Sequence, residues 1–376
     1  MKLILFFLSA VIIQCSSSDQ KTSADKNLKP VIFVHGYLGS RLVKEDGEKK
    51  ETVWITPCQG LNFCTSDLSL KNNDGIESEE ILKKITAVPM LYELDIYDSW
   101  TKRLLKTEGF QAYFFHYDWR KDNSESAAEL EKFTEKISKD HNRKVFGIGH
   151  SNGGLLTLSV LNRRPELYEK AVFAGSPFRA GIGFTKDLIH GTKIGSNEKI
   201  LSSCTLQTFE SVFNFLSSDS GTDTQEILFD SEGKRIPFNV YNAEFWKSYN
   251  LGPYHKGSEC ADKSLADFQK QLDKARVFRK SLLAKKIKYP PLLSVMAENR
   301  TVIRKIKGKK EKDSWIWDTE NPERDKGDGS VLFSASGRRK EKFRKQIRLH
   351  PKLHPENFSE KNLCPSFSFS DQYEHK

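Results

Sequence analysis

Unbroken apolar runs that alternate with amphipathic stretches predict an α/β chain: a mostly parallel sheet flanked by helices. Val31-Ile32-Phe33-Val34, Val145-Phe146-Gly147-Ile148 and Ala171-Val172-Phe173-Ala174 are short and continuously apolar. Strands buried on both faces of a parallel sheet have this composition. Between them lie helical periods, with Trp100, Leu104 and Leu105 on one side of residues 97–106, and Ala128, Leu130, Phe133 and Ile137 along residues 124–140. A strand, helix, strand, helix order places successive strands parallel. The 376 residues, 37% hydrophobic and 29% charged, suit one large domain with insertions, or two domains.

The first fifteen residues are not part of that fold. Lys2 precedes an apolar run over residues 3–13 that is too short to span a bilayer. Ile12-Ile13-Gln14-Cys15 followed by Ser16-Ser17-Ser18 resembles a bacterial lipoprotein signal, with Cys15 lipidated and residues 16–29 a polar tether. Ordinary secretion is the alternative, so export is expected either way. Exported chains keep disulfides. Cys58–Cys64 would close a short loop and Cys204–Cys260 is a second candidate pair, while no Cys or His spacing reads as a metal site.

The folded part begins at Pro30. Its first strand stops at His35-Gly36-Tyr37-Leu38-Gly39-Ser40. Residues 41–75 are polar and loop-like, with aromatics around the Cys58–Cys64 loop that suit a lid, a membrane-touching flap or a packed surface loop. Ala112-Tyr113-Phe114-Phe115-His116-Tyr117 reads as a strand ending in Asp118-Trp119-Arg120. Residues 30–178 thus form the first part of a core. Residues 179–288, rich in Ser, Thr, Asn and Phe, read as an inserted cap, in which Phe209, Phe213, Phe215 and Leu216 form either packing or an acyl groove. Residues 289–376 return to the core through Leu292-Leu293-Ser294-Val295, a basic loop at 300–312, the turn Lys326-Gly327-Asp328-Gly329-Ser330 and a last short strand at 346–350.

The chemistry centres on Gly149-His150-Ser151-Asn152-Gly153, where an apolar strand runs into a helical pattern beginning at Leu155. Gly-x-Ser-x-Gly at such a junction is a nucleophile elbow, and the surrounding pattern is that of an α/β-hydrolase fold. The small residues two positions either side let the backbone double back and push the hydroxyl out of the sheet. A Ser hydroxyl needs a base within hydrogen-bond reach and an acid to orient that base. The amide of Asn152 and that of Tyr37, after the His-Gly strand end, are the candidate oxyanion donors. Asp328, on a Gly-flanked turn, is the candidate acid ahead of Asp325 and Asp318. Among His350, His354 and His375, His354 lies in the loop beyond the last strand, where this fold carries its base.

Several segments, in order, resemble the lecithin:cholesterol acyltransferase family. They are Pro30 to Ser40, Val53-Trp54-Ile55, Tyr117-Asp118-Trp119-Arg120, Gly149 to Gly153, Gly175-Ser176-Pro177-Phe178, Gly327-Asp328-Gly329-Ser330-Val331, and Leu349-His350 through His354. Tyr-Asp-Trp-Arg discriminates best, because Gly-x-Ser-x-Gly is shared by most hydrolases. The resemblance implies Ser151 as nucleophile, Asp328 as acid, His354 as base, and Tyr37 and Asn152 as oxyanion donors. It also implies a lipid or ester substrate and no cofactor or metal. Arg179-Ala180 stands where the family has Gly-Gly. Asp118 and Arg120 read as a charge pair that holds neighbouring loops.

A formal charge of +10 points to an acidic partner. Arg338, Arg339, Lys340, Lys342, Arg344 and Lys345 cluster without any nucleic-acid reader motif, and read either as a solvated basic helix or as a contact for anionic lipid headgroups, so a membrane surface rather than nucleic acid is the expected partner. The sequence therefore predicts an exported, serine-dependent lipid acyl hydrolase or O-acyltransferase. A triacylglycerol lipase or carboxylesterase is the neighbouring alternative. An inactive surface-binding lipoprotein is the alternative of another class. Headgroup, acceptor and oligomeric state are left open.

Overall fold

The computed structural model describes residues 23–335 except 48, 72–73, 89–91, 180–182, 217–223, 256–257, 259, 261–262, 284 and 298. Cys15, His350, His354, His375 and the basic cluster at 338–345 lie outside the described residues.

Fourteen strands are described, in chain order. They are β1 (Lys29–Val34), β2 (Ser40–Asp46), β3 (Lys49–Trp54), β4 (Ile76–Ile81), β5 (Lys84–Val88), β6 (Tyr92–Asp95), β7 (Phe110–Phe115), β8 (Val145–His150), β9 (Tyr168–Ala174), β10 (Thr224–Asp230), β11 (Arg235–Asn239), β12 (Leu292–Val295), β13 (Arg300–Glu311) and β14 (Ser314–Gly327). The helices are α1 (Pro57–Gly60), α2 (Asp98–Leu105), α3 (Asn123–His141), α4 (Asn152–Arg163), α5 (Gly183–His190), α6 (Ser203–Leu206), α7 (Ala243–Ser248) and α8 (Leu265–Ser281).

The central sheet is five-stranded, in the order β12-β9-β8-β1-β7, with every neighbouring pair parallel. This is the α/β-hydrolase arrangement. From β1 the chain steps to β7 on one side, then returns through α3 to β8 on the other, and continues outward to β9 and β12. The direction reverses between β1 and β8. In an open α/β sheet that switch point, at the carboxyl ends of the strands, is where ligands bind. The loop at residues 35–39 and Ser151 both leave the sheet there. α3 begins at an N-cap whose Asp122 carboxylate accepts the Ser124 N–H and stops at Asn142, which takes a left-handed backbone. Leu130 and Ile137 face the sheet, as the helical period requires.

Two stretches differ from the sequence reading. Within the region at 41–75, residues 41–46 and 49–54 are strand rather than loop: β2 pairs antiparallel with β3, and with β4 beyond the region. The basic stretch after residue 300 is β13, paired antiparallel with β14 as a long hairpin. Within the insertion, where strand signals fade, β10 and β11 pair, and β10 joins β13 in parallel, giving a second sheet β11-β10-β13-β14. The physical reason is one-sided burial. On β13 only Val302, Ile303, Ile306 and Gly308 are buried, and Lys and Arg fill the solvent face. Composition then masks the alternation.

Both expected disulfides are present, Cys58–Cys64 and Cys204–Cys260. Among the described residues no helix is long and apolar enough to cross a membrane.

Candidate active site

Ser151 sits between β8 and α4 with φ 49° and ψ −120°, a strained backbone for a non-glycine residue. Its N–H donates to the Ala174 carbonyl at 2.8 Å, and its carbonyl accepts from Gly154 at 3.0 Å. The elbow is possible only because the adjacent positions lack Cβ atoms. A methyl on Gly149 would come within 2.5 Å of Gly154 Cα, and one on Gly153 would collide with the Val34 and His35 carbonyls. β1, the elbow and the start of α4 therefore touch backbone to backbone. A Cβ on Gly36 would stand 2.9 Å from Ser151 Cβ, so the loop after β1 lies directly against Ser151.

That loop turns tightly, with Gly39 N–H donating to the Gly36 carbonyl. His35 anchors it. Tyr117 N–H donates to His35 Nε2 at 3.3 Å, so Nε2 is unprotonated and Nδ1 carries the proton donated to the Gly36 carbonyl at 2.7 Å. Burial lowers its pKa to about 3, against a smaller opposing pull from that backbone bond. The tautomer is neutral and fixed. His150, beside the nucleophile, is likewise held down to about 4 by burial. Its Nδ1 meets Tyr97 Oη at 2.7 Å, and Tyr97 Oη accepts the Gly36 N–H at 2.9 Å. Both rings brace the loop at residues 35–39 through these bonds.

Tyr37 follows Gly36, which lies against Ser151, and Asn152 follows Ser151; neither amide donates a hydrogen bond among the described residues. The Asn152 N–H is one of the unpaired donors at the start of α4. Its side chain is locked: Asn152 and Asn123 exchange amide hydrogen bonds of 2.7 and 3.0 Å, and Asn152 Nδ2 also donates to Tyr117 Oη at 3.0 Å. Tyr37 packs edge-on against Trp119, Phe184 and Phe215, the last two from the insertion. Sequence reasoning missed Tyr97 and Asn123, because each lies dozens of residues from the elbow and no local pattern marks it.

Asp328 follows β14 on the expected turn, where its Oδ1 accepts the Ser330 and Val331 N–H groups at 2.9 and 2.7 Å. A Cβ on Gly175 would lie 2.9 Å from Oδ2. The carboxylate thus reaches the end of β9, one residue past the carbonyl that holds Ser151. Oδ2 has no hydrogen-bond partner among the described residues. Burial raises the Asp328 pKa, against the pull of the Val331 and Ser330 amides. Asp325 instead pairs with exposed Arg304, and Asp318 caps its own turn.

Tyr117-Asp118-Trp119-Arg120 packs against the loop after β1, Tyr117 stacked on His35 and Trp119 edge-on to Tyr37. Arg120 is fully buried. It donates Nε and Nη2 to Asp118 at 3.0 and 2.7 Å, and Nη1 to Asp74 at 2.9 Å and to the Leu68 carbonyl at 3.1 Å. Trp119 Nε1 donates to the Ser40 carbonyl and Ser40 Oγ to the Tyr117 carbonyl. The motif ties the segments at Ser40, Leu68 and Asp74 together.

A family model described as "Lecithin:cholesterol acyltransferase" matches residues 56–271. An uncharacterized protein of Saccharomyces cerevisiae, YJR098C, is 29% identical over 228 residues, which is 59% of this chain and 34% of that protein. The chain thus spans about a third of that relative's length. Among solved structures, the Tle4-Tli4 complex aligns with TM-score 0.47 and 15% identity over 75% of this chain and 77% of the other. Aspergillus fumigatus lipase B aligns with TM-score 0.30 and 11% identity over 71% and 66%. With the family model covering more than half of its length, the chain belongs to the lecithin:cholesterol acyltransferase family.

Proposed function

We propose that the chain is an exported acyl hydrolase and O-acyltransferase acting on phospholipids or related esters through an acyl-enzyme on Ser151. One observation carries the reading: a strained Ser151 at the sheet's switch point, flanked by two amides that donate to nothing else described. Ser151 Oγ attacks the ester carbonyl while His354 takes its proton, and Asp328 orients and stabilises the resulting imidazolium. The oxygen that becomes negative is held by the Tyr37 and Asn152 amides. Collapse of the tetrahedral intermediate breaks the ester bond, and His354 returns the proton to the departing alcohol. Water, or the hydroxyl of an acceptor, then repeats the sequence on the acyl-enzyme. No cofactor enters these steps.

Residues 30–178 and 289–376 serve as the core and 179–288 as a cap over the site, in keeping with Phe184 and Phe215 packed on Tyr37. Phe209 and Phe213 are fully buried, so packing is their role rather than an open acyl groove. The loop closed by Cys58–Cys64 carries Phe63, 82% exposed, and Leu61, 39% exposed. Asn197 pins the loop to the cap through the Gln59 and Cys64 carbonyls. An apolar tip on a stapled loop suits contact with a lipid surface. Two disulfides fit an oxidising compartment, and lipidation at Cys15 would anchor the protein at the membrane.

The test is product analysis. Purified protein is incubated with vesicles of acyl-labelled phosphatidylcholine, with and without a long-chain alcohol. Labelled fatty acid, and labelled ester when alcohol is present, should form with the wild type and not with Ser151→Ala. Turnover of a soluble short-chain ester with inert vesicles would make the protein a carboxylesterase. Absence of turnover on both would leave a binding protein.

A further inference from the structure

Arg279, on α8 within the insertion, is buried, 9% exposed, and makes no ion pair with any carboxylate among the described residues. Burial lowers its pKa to about 10, with a small opposing contribution from Tyr241. Its donors end on backbone carbonyls. Nη1 donates to Pro177 at 3.1 Å and Asn214 at 3.2 Å, and Nη2 to Phe178 at 2.5 Å. A buried cation with no counter-charge is costly, and the three carbonyls repay only part of that cost.

What those carbonyls belong to gives the arrangement its meaning. Pro177 and Phe178 lie in the loop that leaves β9, and that loop stands between the two halves of the site. Ala174, at its start, holds the Ser151 N–H. Gly175 faces Asp328 Oδ2, and Ser176 Oγ fills the space a Cβ on Gly154 would need. At the far end Arg179 N–H donates to the Ala335 carbonyl, just beyond the acid's turn. The third carbonyl, Asn214, precedes Phe215, which packs on Tyr37. One guanidinium therefore ties the nucleophile, the acid's turn and the oxyanion loop to a single cap helix. Its planar fork can serve two segments at once, which an ammonium cannot do with the same geometry.

We propose that Arg279 is a positioning residue, which sets the spacing of Ser151 and Asp328 by clamping the loop at residues 175–178 to the cap. The proposal rests on Ser151 being the nucleophile. It acts through the loop and touches no substrate, so its loss lowers kcat and leaves binding of a small ester intact.

The experiment compares wild type, Arg279→Met and Arg279→Lys, each well below its own melting temperature and each shown folded by circular dichroism. Two quantities are read: kcat and KM for a soluble short-chain ester, and the rate constant for fluorophosphonate labelling of Ser151. Arg279→Met should lower kcat and the labelling rate by ~100-fold with KM unchanged, the scale of loss that small misplacement of reacting groups produces. Arg279→Lys keeps the charge without the fork and should recover to about tenfold below wild type. A folded Arg279→Met with wild-type kcat and labelling overturns the proposal and leaves Arg279 a stability residue. If Arg279→Met does not fold, Arg279→Lys decides, and wild-type kcat in that variant overturns it equally. A wild type that the probe fails to label would instead sink the Ser151 reading.

Discussion

Two histidines near the nucleophile, His35 and His150, look at residue level like candidates for the base. The geometry removes both. His35 accepts with Nε2 and donates with Nδ1, and each ring is held neutral far below the ordinary histidine range by burial. A base that must gain a proton in each cycle has to sit where a charge is tolerated. His354, outside the described residues, is the base we propose, on the order Ser, acid, His along the chain. His354→Ala should therefore cost ~10⁵- to 10⁶-fold in kcat. Asp328→Ala should cost about 10⁴-fold, and His350→Gln less than roughly tenfold if it lies outside the catalytic unit. Steady-state kinetics on a short-chain ester checks the ranking, and the reverse order for the two histidines would reassign the base.

At the scale of elements, Tyr-Asp-Trp-Arg was legible as a structural pair because two opposite charges beside aromatics at a strand end have few other uses. The sequence could not say what they hold. Arg120 proves to bind a second carboxylate, Asp74, forty-six residues away, and a loop carbonyl besides. Arg120→Ala leaves Asp118 and Asp74 nearly buried with backbone donors but no counter-charge, so unfolding in urea should show a loss of about 3–5 kcal/mol. Arg120→Lys should recover little, since one ammonium cannot span both carboxylates and the carbonyl. A loss under about 1 kcal/mol would mean that water replaces the network. The misread stretches have a common cause. β2, β3 and β13 bury one face only, and their Lys- and Glu-rich solvent faces make the composition resemble loop. The central strands are buried on both sides, and they stood out for that reason.

Across the whole molecule, the order strand, helix, strand, helix was enough to foretell the parallel sheet, and Gly-x-Ser-x-Gly was enough to place Ser151 on the turn between a strand and a helix. The second sheet was not foreseeable, because β10 of the insertion pairs with β13 of the returning chain, and no local pattern encodes a partner more than seventy residues away. That sheet matters to the site: β14 delivers Asp328 to the end of β9, while the insertion presses Phe184 and Phe215 on Tyr37. The central claim is that this assembly serves one hydroxyl. The most direct measurement is intact-mass and peptide mapping of the folded protein after a fluorophosphonate probe. The account predicts one adduct, on the peptide containing Ser151, lost in Ser151→Ala. An adduct on another residue, or an unmodified Ser151 in folded protein that still turns over ester, would contradict it.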